Sequence, residues 1–314
     1  MEAGTQSAGG AAPGGSPFGA ARYRWHEDLV HALLIIAAAI SVLTTIGILV
    51  ALISQSWSFF GEVGTRFFTD DAWSPLFTDP QFGIWQLLNG TFLITGIAIL
   101  VAVPLGLGSA IYLSEYASPR TRRRIKPILE VLVGVPTVVF GYFALTFITP
   151  VFLQGVFNLE VQIFNALSAG IVMGIMIVPT IASISDDAMS AVPQSLREGA
   201  YGLGSTKRQV ATRVVFPAAI SGIVAAIVLG VSRGVGETMI VLLAAGLQPN
   251  FGINPDQGYA TITTFMGATA KGDNPVGTIG YESIFACGLT LFVLTLFMNM
   301  VAIRFVRKYR EVYE

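Results

Sequence analysis

Residues 218–246 read AAISGIVAAIVLGVSRGVGETMIVLLAAG, and the charged side chains that interrupt them are Arg233 and Glu237. A helix of roughly 20 apolar residues crosses the hydrocarbon core of a bilayer, because every backbone N–H and C=O must there be satisfied within the segment. The stretch is long enough to cross with some tilt. An ionised Arg at the centre of a span costs roughly 2.5–3.5 kcal/mol on insertion scales, so it faces protein or a wet cavity and marks a pathway. The stretch is therefore a membrane span with a polar interior face.

Five more apolar stretches, at 29–53, 87–113, 128–152, 163–185 and 281–303, meet the same length requirement. The chain of 314 residues is 53% hydrophobic and 12% charged, with a mean hydropathy of +0.68, outside the usage of soluble domains. The fold class is an all-α integral membrane protein with six transmembrane helices. Pro104, Pro136 and Pro179 fall inside three of them as kink points. The first stretch exceeds a signal-peptide core of about 7–15 residues and is expected to stay as an anchor. Residues 1–21, rich in Gly, Ala, Pro and Ser, lack the apolar content to order themselves. A disordered cytoplasmic tail is accordingly expected over 1–28, and the membrane domain over 29–314.

Charge placement gives the orientation. With a cytoplasmic N-terminus, fifteen basic residues fall on inner segments: Arg22 and Arg24, five between Arg120 and Lys126, then Arg197, Lys207, Arg208 and Arg213, and finally Arg304, Arg307, Lys308 and Arg310. The outer loops hold only Arg66 and Lys271. The excess of inner Lys and Arg places both termini in the cytoplasm. The outer loops carry Glu62, Asp70, Asp71, Asp79, Glu160, Asp256, Asp273 and Glu282, which read either as solvated surface or as a face for a soluble partner.

Enzyme chemistry finds little footing. Cys287 is the single cysteine and His26 and His31 are the two histidines, so no Cys-based metal site or disulfide is available. No metal is expected, no nucleotide or hydrolase motif occurs, and no nucleic-acid partner is expected.

Residues 190–217, SAVPQSLREGAYGLGSTKRQVATRVVFP, are too polar to span. Pro193 suits a first helical turn, and Leu196, Ala200 and Leu203 recur on one helical face. Gly204 suits the left-handed position that ends such a helix, and Thr206 with Gln209 matches a capping box for the next one. The pattern predicts two short helices joined at a glycine on the inner face, either an interfacial anchor or something more specific.

In the fifth span, the spacing of Arg233 and Glu237 puts them on one helical face, where they can pair and reduce the cost of burial. A purely structural ion pair is one reading. The other is an anion pathway, in which the planar Arg fork suits phosphate oxygens and Glu237 holds that fork and competes for it. A permease must release its cargo, so such a station has low affinity.

Glu198, Gly199, Ala200, Gly204, Val214, Phe216 and Pro217 fall at the spacing of the EAA loop of ABC importer permeases, with Gly199, Val214 and Phe216 as small or apolar departures from the pattern. GVPTVVFGYF at 134–143, VPLGLGSAIYLSEYA at 103–117 and the run from Gly230 to Met239 are similar to the phosphate-specific, PstC-like branch. The resemblance implies that 195–217 couples to a separate ATPase, chiefly through Glu198, Gly199, Ala200 and Gly204. It also implies a phosphate path past Arg233 and Glu237, with Thr137 beside the break that Gly134 and Pro136 introduce. The implied partners are a second permease (PstA-like), a dimer of ATPase subunits (PstB-like) that holds the ATP-Mg, an extracytoplasmic phosphate-binding protein (PstS-like) and membrane lipid. No cofactor is expected on this chain. The alternatives are a permease for sulfate or molybdate, an ion-coupled transporter with Glu237 as proton carrier, and a scaffold without transport activity.

Overall fold

A computed structural model describes residues 25–272 and 275–308. The expected tail falls mostly outside them, as do Arg22, Arg24, Arg310 and Asp273. The chain divides into two compact units, residues 1–50 and Ala51–Glu314. The described part of the first is one apolar helical stretch with its side chains exposed, which suits direct contact with acyl chains.

Helix α1 covers Trp25–Val63, so it starts ahead of Leu29 and runs well past the expected end at Ile53. A short helix α2 (Arg66–Thr69) and a hairpin of β1 (Trp73–Ser74) and β2 (Gln81–Phe82) follow. Within the second unit, Phe59, Phe67, Trp73 and Phe82 meet edge to face and bury one another, with Phe265 against Trp73. Such ring pairs add about 0.5–1.5 kcal/mol each beyond their buried area.

Helix α3 (Trp85–Ile111) widens into a π-helical turn at Tyr112–Tyr116 and is followed by the amphipathic α4 (Pro119–Val133). The third span then departs from expectation. The predicted stretch 128–152 is split at Gly134–Pro136, and the crossing is α5 (Thr137–Phe143) with its π-helical continuation Ala144–Val156. Pro136 cannot donate to the ladder and disfavours a helical residue before it, so the chain breaks there. Pro104 and Pro179 cause no such break: α3 and α6 (Ala166–Ser190) run through them.

Two short helices, α7 (Gln194–Gly202) and α8 (Lys207–Val210), form the predicted hairpin. Gly204 adopts φ +81° between them, and the Thr206–Gln209 capping box is present in both directions. From α8 the chain passes through a π turn at Ala211–Val215 and the single turn α9 (Phe216–Ala218) into α10 (Ile220–Val235), bending by 71°. After α10 come α11 (Met239–Ala244), α12 (Ile262–Lys271) and α13 (Ile279–Lys308). Among the described residues, five helical stretches are long and apolar enough to cross a membrane, or six if the bent stretch Lys207–Val235 counts as one span. With 16 residues, α10 rises about 24 Å, short of the ~30 Å hydrocarbon core. Helix α11 follows beyond a break at 236–238.

Helices α3 and α6 form the centre of the second unit. Their backbones approach at glycines: a Cβ at Gly174 would stand 2.8 Å from the Ala98 carbonyl oxygen and from Val101, and one at Gly170 would stand 2.6 Å from Ile97. Lipid offers no hydrophobic drive between helices, so close packing of small residues takes its place. Gly230 and Gly234 bring α10 onto the same pair, against Ile177 and Ile181 of α6 and Thr95 of α3. Gly174→Val should lower the thermal stability of the detergent-purified protein by about 1–3 kcal/mol through overpacking. Gly96→Ala, where nothing lies within 4 Å, should leave it unchanged or slightly raised in the same scan.

Candidate functional site

The pairing of Arg233 with Glu237 that their spacing allows does not occur. The helix ends at Val235, Gly236 and Glu237 lie in a break, and a new helix starts at Met239. The i,i+4 geometry that would join the two side chains is therefore lost. Each charge is instead accommodated by a helix end. Arg233 stands in the last turn of α10, where the unsatisfied carbonyls favour a cation. Glu237 stands before α11, and its Oε1 accepts from the backbone N–H groups of Met239 (3.0 Å) and Ile240 (3.2 Å). A carboxylate that caps a helix start satisfies donors that would otherwise be orphaned in a low-dielectric interior.

Their surroundings differ. Glu237 is 8% exposed and borders a small void closed to water, lined by Thr91, Thr95, Met173, Gly234 and Thr261 among others. Arg233 is half-buried, and Nη1 donates to Thr180 Oγ1 of α6 at 3.2 Å. Among the described residues that is its one hydrogen bond, so most of the five donors of its planar fork stay open to an anion.

The segment between α11 and α12, expected as a plain outer loop, folds back to the level of the break. Tyr259 N–H donates to Ala245 and Ala260 N–H to Gln248, so the returning strand lies beside the outgoing one. Thr263 Oγ1 donates to the Glu237 carbonyl at 2.7 Å, Ile262 N–H donates to Thr91 Oγ1, and Thr261 and Thr264 cap α12 reciprocally. Gly90 permits this approach, since a Cβ there would stand 2.2 Å from the Ala260 carbonyl oxygen. A buried belt of Thr91, Thr95, Thr261 and Thr263 thus lies beside Glu237, with Thr264 bonded to Thr261 behind it. Its signal in the sequence is the cluster TITT at 261–264 together with Asn89-Gly90-Thr91. Spacing alone does not bring the two together.

Thr137 is the first residue of α5 and is half-buried. One turn later on the same helix, Gly141 meets the backbone of Met239 and Ile240, so α5 packs on α11. The structure thus brings the Thr137 helix to the Glu237 break, while no hydrogen bond joins the Thr137 hydroxyl to either charge.

The residues of the hairpin form a separate group. Glu198 and Gly199 are exposed and Ala200 is partly covered. Leu203 is 89% exposed, and no side chain of α7 is fully buried. The apolar face predicted from Leu196, Ala200 and Leu203 is largely uncovered, and Gly199 and Gly204 have open space around them. Two polar attachments at this end escaped sequence reasoning. Arg122 and Lys126 of α4 pair with Asp186 and Asp187 at the end of α6, and Arg197 of α7 pairs with Glu115.

The chain belongs to the family of binding-protein-dependent transport system inner membrane components, whose model matches residues 102–311. Among curated relatives, the probable ABC transporter permease protein YqgH of Bacillus subtilis is 34% identical over 281 residues, covering 90% of this chain and 89% of the relative. The phosphate transport system permease protein PstC of Mesorhizobium japonicum is 32% identical over 299 residues, covering 90% of each. Among solved structures, a bacterial ABC transporter for the import of alginate aligns over 92% of this chain and 100% of its own, with 18% identity and a TM-score of 0.62. The inward-facing MetNI methionine transporter aligns over 73% and 95%, with 18% identity and a TM-score of 0.53. These two share the fold.

If Glu237 caps α11, Glu237→Ala should cost about 1 kcal/mol of stability. Glu237→Gln keeps an acceptor oxygen and should stay close to wild type. Thermal unfolding in micelles, with both variants side by side, checks this.

Proposed function

We propose that the chain is a PstC-like permease subunit of an ATP-driven phosphate importer, embedded in a bacterial cytoplasmic membrane with both termini inside. The observation that carries the reading is the Arg233 guanidinium, held half-buried in a membrane span by one contact to Thr180 and otherwise free to donate. A planar fork of donors recognises a tetrahedral oxyanion, and a partial complement of partners keeps that recognition weak enough for release. Relatives named as phosphate permeases at 32% identity, PstC of Mesorhizobium japonicum and of Haemophilus influenzae, support phosphate as the anion. On this reading Glu237 lines the same path in a closed state. Its carboxylate repels an anion from the Thr belt until the break rearranges, and Thr137 lies at the entrance to α5.

The chain is a transport subunit with no ATP site of its own. A dimer of PstB-like ATPase subunits holds ATP-Mg, a PstA-like permease completes the path, and a PstS-like protein delivers phosphate from outside. The exposed α7 surface, with Glu198, Gly199, Ala200 and the open turn at Gly204, is the ATPase docking site. An apolar residue as exposed as Leu203, beside residues with open space around them, suits a covering partner.

Arg233→Gln should abolish ATP-dependent uptake of radiolabelled phosphate in vesicles holding the full assembly, while assembly and basal ATP hydrolysis persist. Unchanged uptake reduces Arg233 to structure, and competition by sulfate points to a broader oxyanion permease. Glu198→Lys should weaken ATPase association in co-purification and uncouple hydrolysis from uptake. Normal association together with normal uptake removes the docking assignment.

A further inference from the structure

Arg197 and Glu198 are adjacent on α7 and do opposite things. Glu198 is exposed, whereas the Arg197 side chain is 11% exposed and turned into the bundle. All three guanidinium nitrogens are engaged. Nε and Nη2 reach Glu115 Oε1 at 3.3 and 3.1 Å, Nη2 also donates to the Met189 carbonyl at 2.8 Å, and Nη1 donates to the Val192 carbonyl at 2.5 Å. Glu115, 5% exposed, belongs to the π turn that ends α3, and Met189 to the last turn of α6. One side chain therefore ties α7 to the ends of both central helices. Besides this side chain, α7 is attached by the Ala200 methyl against the apolar cluster beneath it, by packing on the π turn Ala211–Val215, and by the short links to α6 and α8.

Two covalent routes leave α7: a three-residue link, 191–193, back to the end of α6, and a longer one toward α10. The longer one is a poor lever, because it runs through the Gly204 turn, the single turns around Val210–Ala218 and the 71° bend before α10. Each of these joints can absorb a displacement. Arg197 adds a short, stiff tie to α3: the buried ion pair with Glu115, while its two carbonyl anchors fix the short link to α6, and these two helices are locked together by Gly106, Gly170 and Gly174. Those helices carry Thr180, the partner of Arg233, and Thr95 and Met173, which line the void beside Glu237.

We infer that Arg197, with Glu115, is a positioning residue through which displacement of α7 is transmitted to α3 and α6 as one body, and so to the walls of the transport path. The inference rests on the reading of α7 as the ATPase docking helix. A buried pair whose charges are matched only in one geometry holds α7 at a fixed angle to both helices, so a force on α7 moves all three together.

The test uses the full assembly in proteoliposomes, with Arg197→Gln, Glu115→Gln, the double variant and Arg197→Lys. Co-purification, ATP hydrolysis with and without the binding protein, and phosphate moved per ATP are measured on each. Either single Gln variant should assemble and hydrolyse ATP, yet move roughly tenfold less phosphate per ATP, within the range by which coupling residues act. The double variant should fall no further than Arg197→Gln. Arg197→Lys, which keeps the charge and one reach to Glu115, should recover part of the loss. A wild-type ratio of phosphate to ATP in Arg197→Gln overturns the inference. So does a parallel loss of assembly, hydrolysis and uptake that Arg197→Lys does not relieve, since that is the mark of a purely structural pair. Failure of the docking reading looks different: Glu198→Lys is then silent as well, whereas failure of this inference alone leaves Glu198→Lys effective.

Discussion

An ionised side chain inside a bilayer has to find compensating charge or dipoles in the protein, and this constraint shapes the middle of the second unit. Arg233 and Glu237 meet it without pairing. The fifth span breaks at Gly236, which creates a helix C-terminus beside the cation and a helix N-terminus beside the anion. The break exposes backbone groups that lipid cannot satisfy, so other protein must cover them. The fold-back before α12 supplies that cover through Thr263 and the Thr belt, and Gly90 makes room for it. Separation of the charges also decides their chemistry. A paired Arg233 would have its fork filled by carboxylate, whereas the observed one keeps donors open at a half-buried position.

The same economy of space governs the rest of the core. Glycines on α3 and α6 bring these helices to backbone contact, and Gly230 and Gly234 seat α10 upon them. A pair packed this closely has few soft degrees of freedom, so it moves as a body or not at all. Its two ends are held by different means. At one end an aromatic cluster, Phe59, Phe67, Trp73, Phe82 and Phe265, is apolar and non-directional. At the other, the Arg122–Asp186 and Arg197–Glu115 pairs are directional and geometry-dependent. Directional contacts suit the end that carries α7, where the proposed docking of an ATPase would deliver a defined motion.

Much of this was legible in the linear pattern. Apolar length marks each span to within a few residues at most ends, because the requirement for internal hydrogen bonding in lipid is local and strict. Gly204 and the Thr206–Gln209 box were also local, and both appear as their chemistry requires. The misreadings share one cause. In the third span, apolar length counted the end of α4 into the crossing, although Gly134 and Pro136 marked the break. In the fifth, it took α10 and α11 as one helix across Gly236, and an unbroken helix would have paired the two charges. Hydropathy reports whether residues tolerate lipid, not whether their backbone stays helical.

By itself the sequence determined the membrane class, the positions of most apolar helices, the helical hairpin before the fifth span and the presence of an interior Arg and Glu. Each of these follows from composition, periodicity or capping within about twenty neighbouring residues. Only the tertiary structure decided what those charges do. Thr180 lies far from Arg233 in sequence, the Thr belt is drawn from α3 and α12, and Glu115 is remote from Arg197. Such contacts depend on how helices pack and where backbones approach, which is set by the shape of the whole bundle and leaves no periodic trace along the chain.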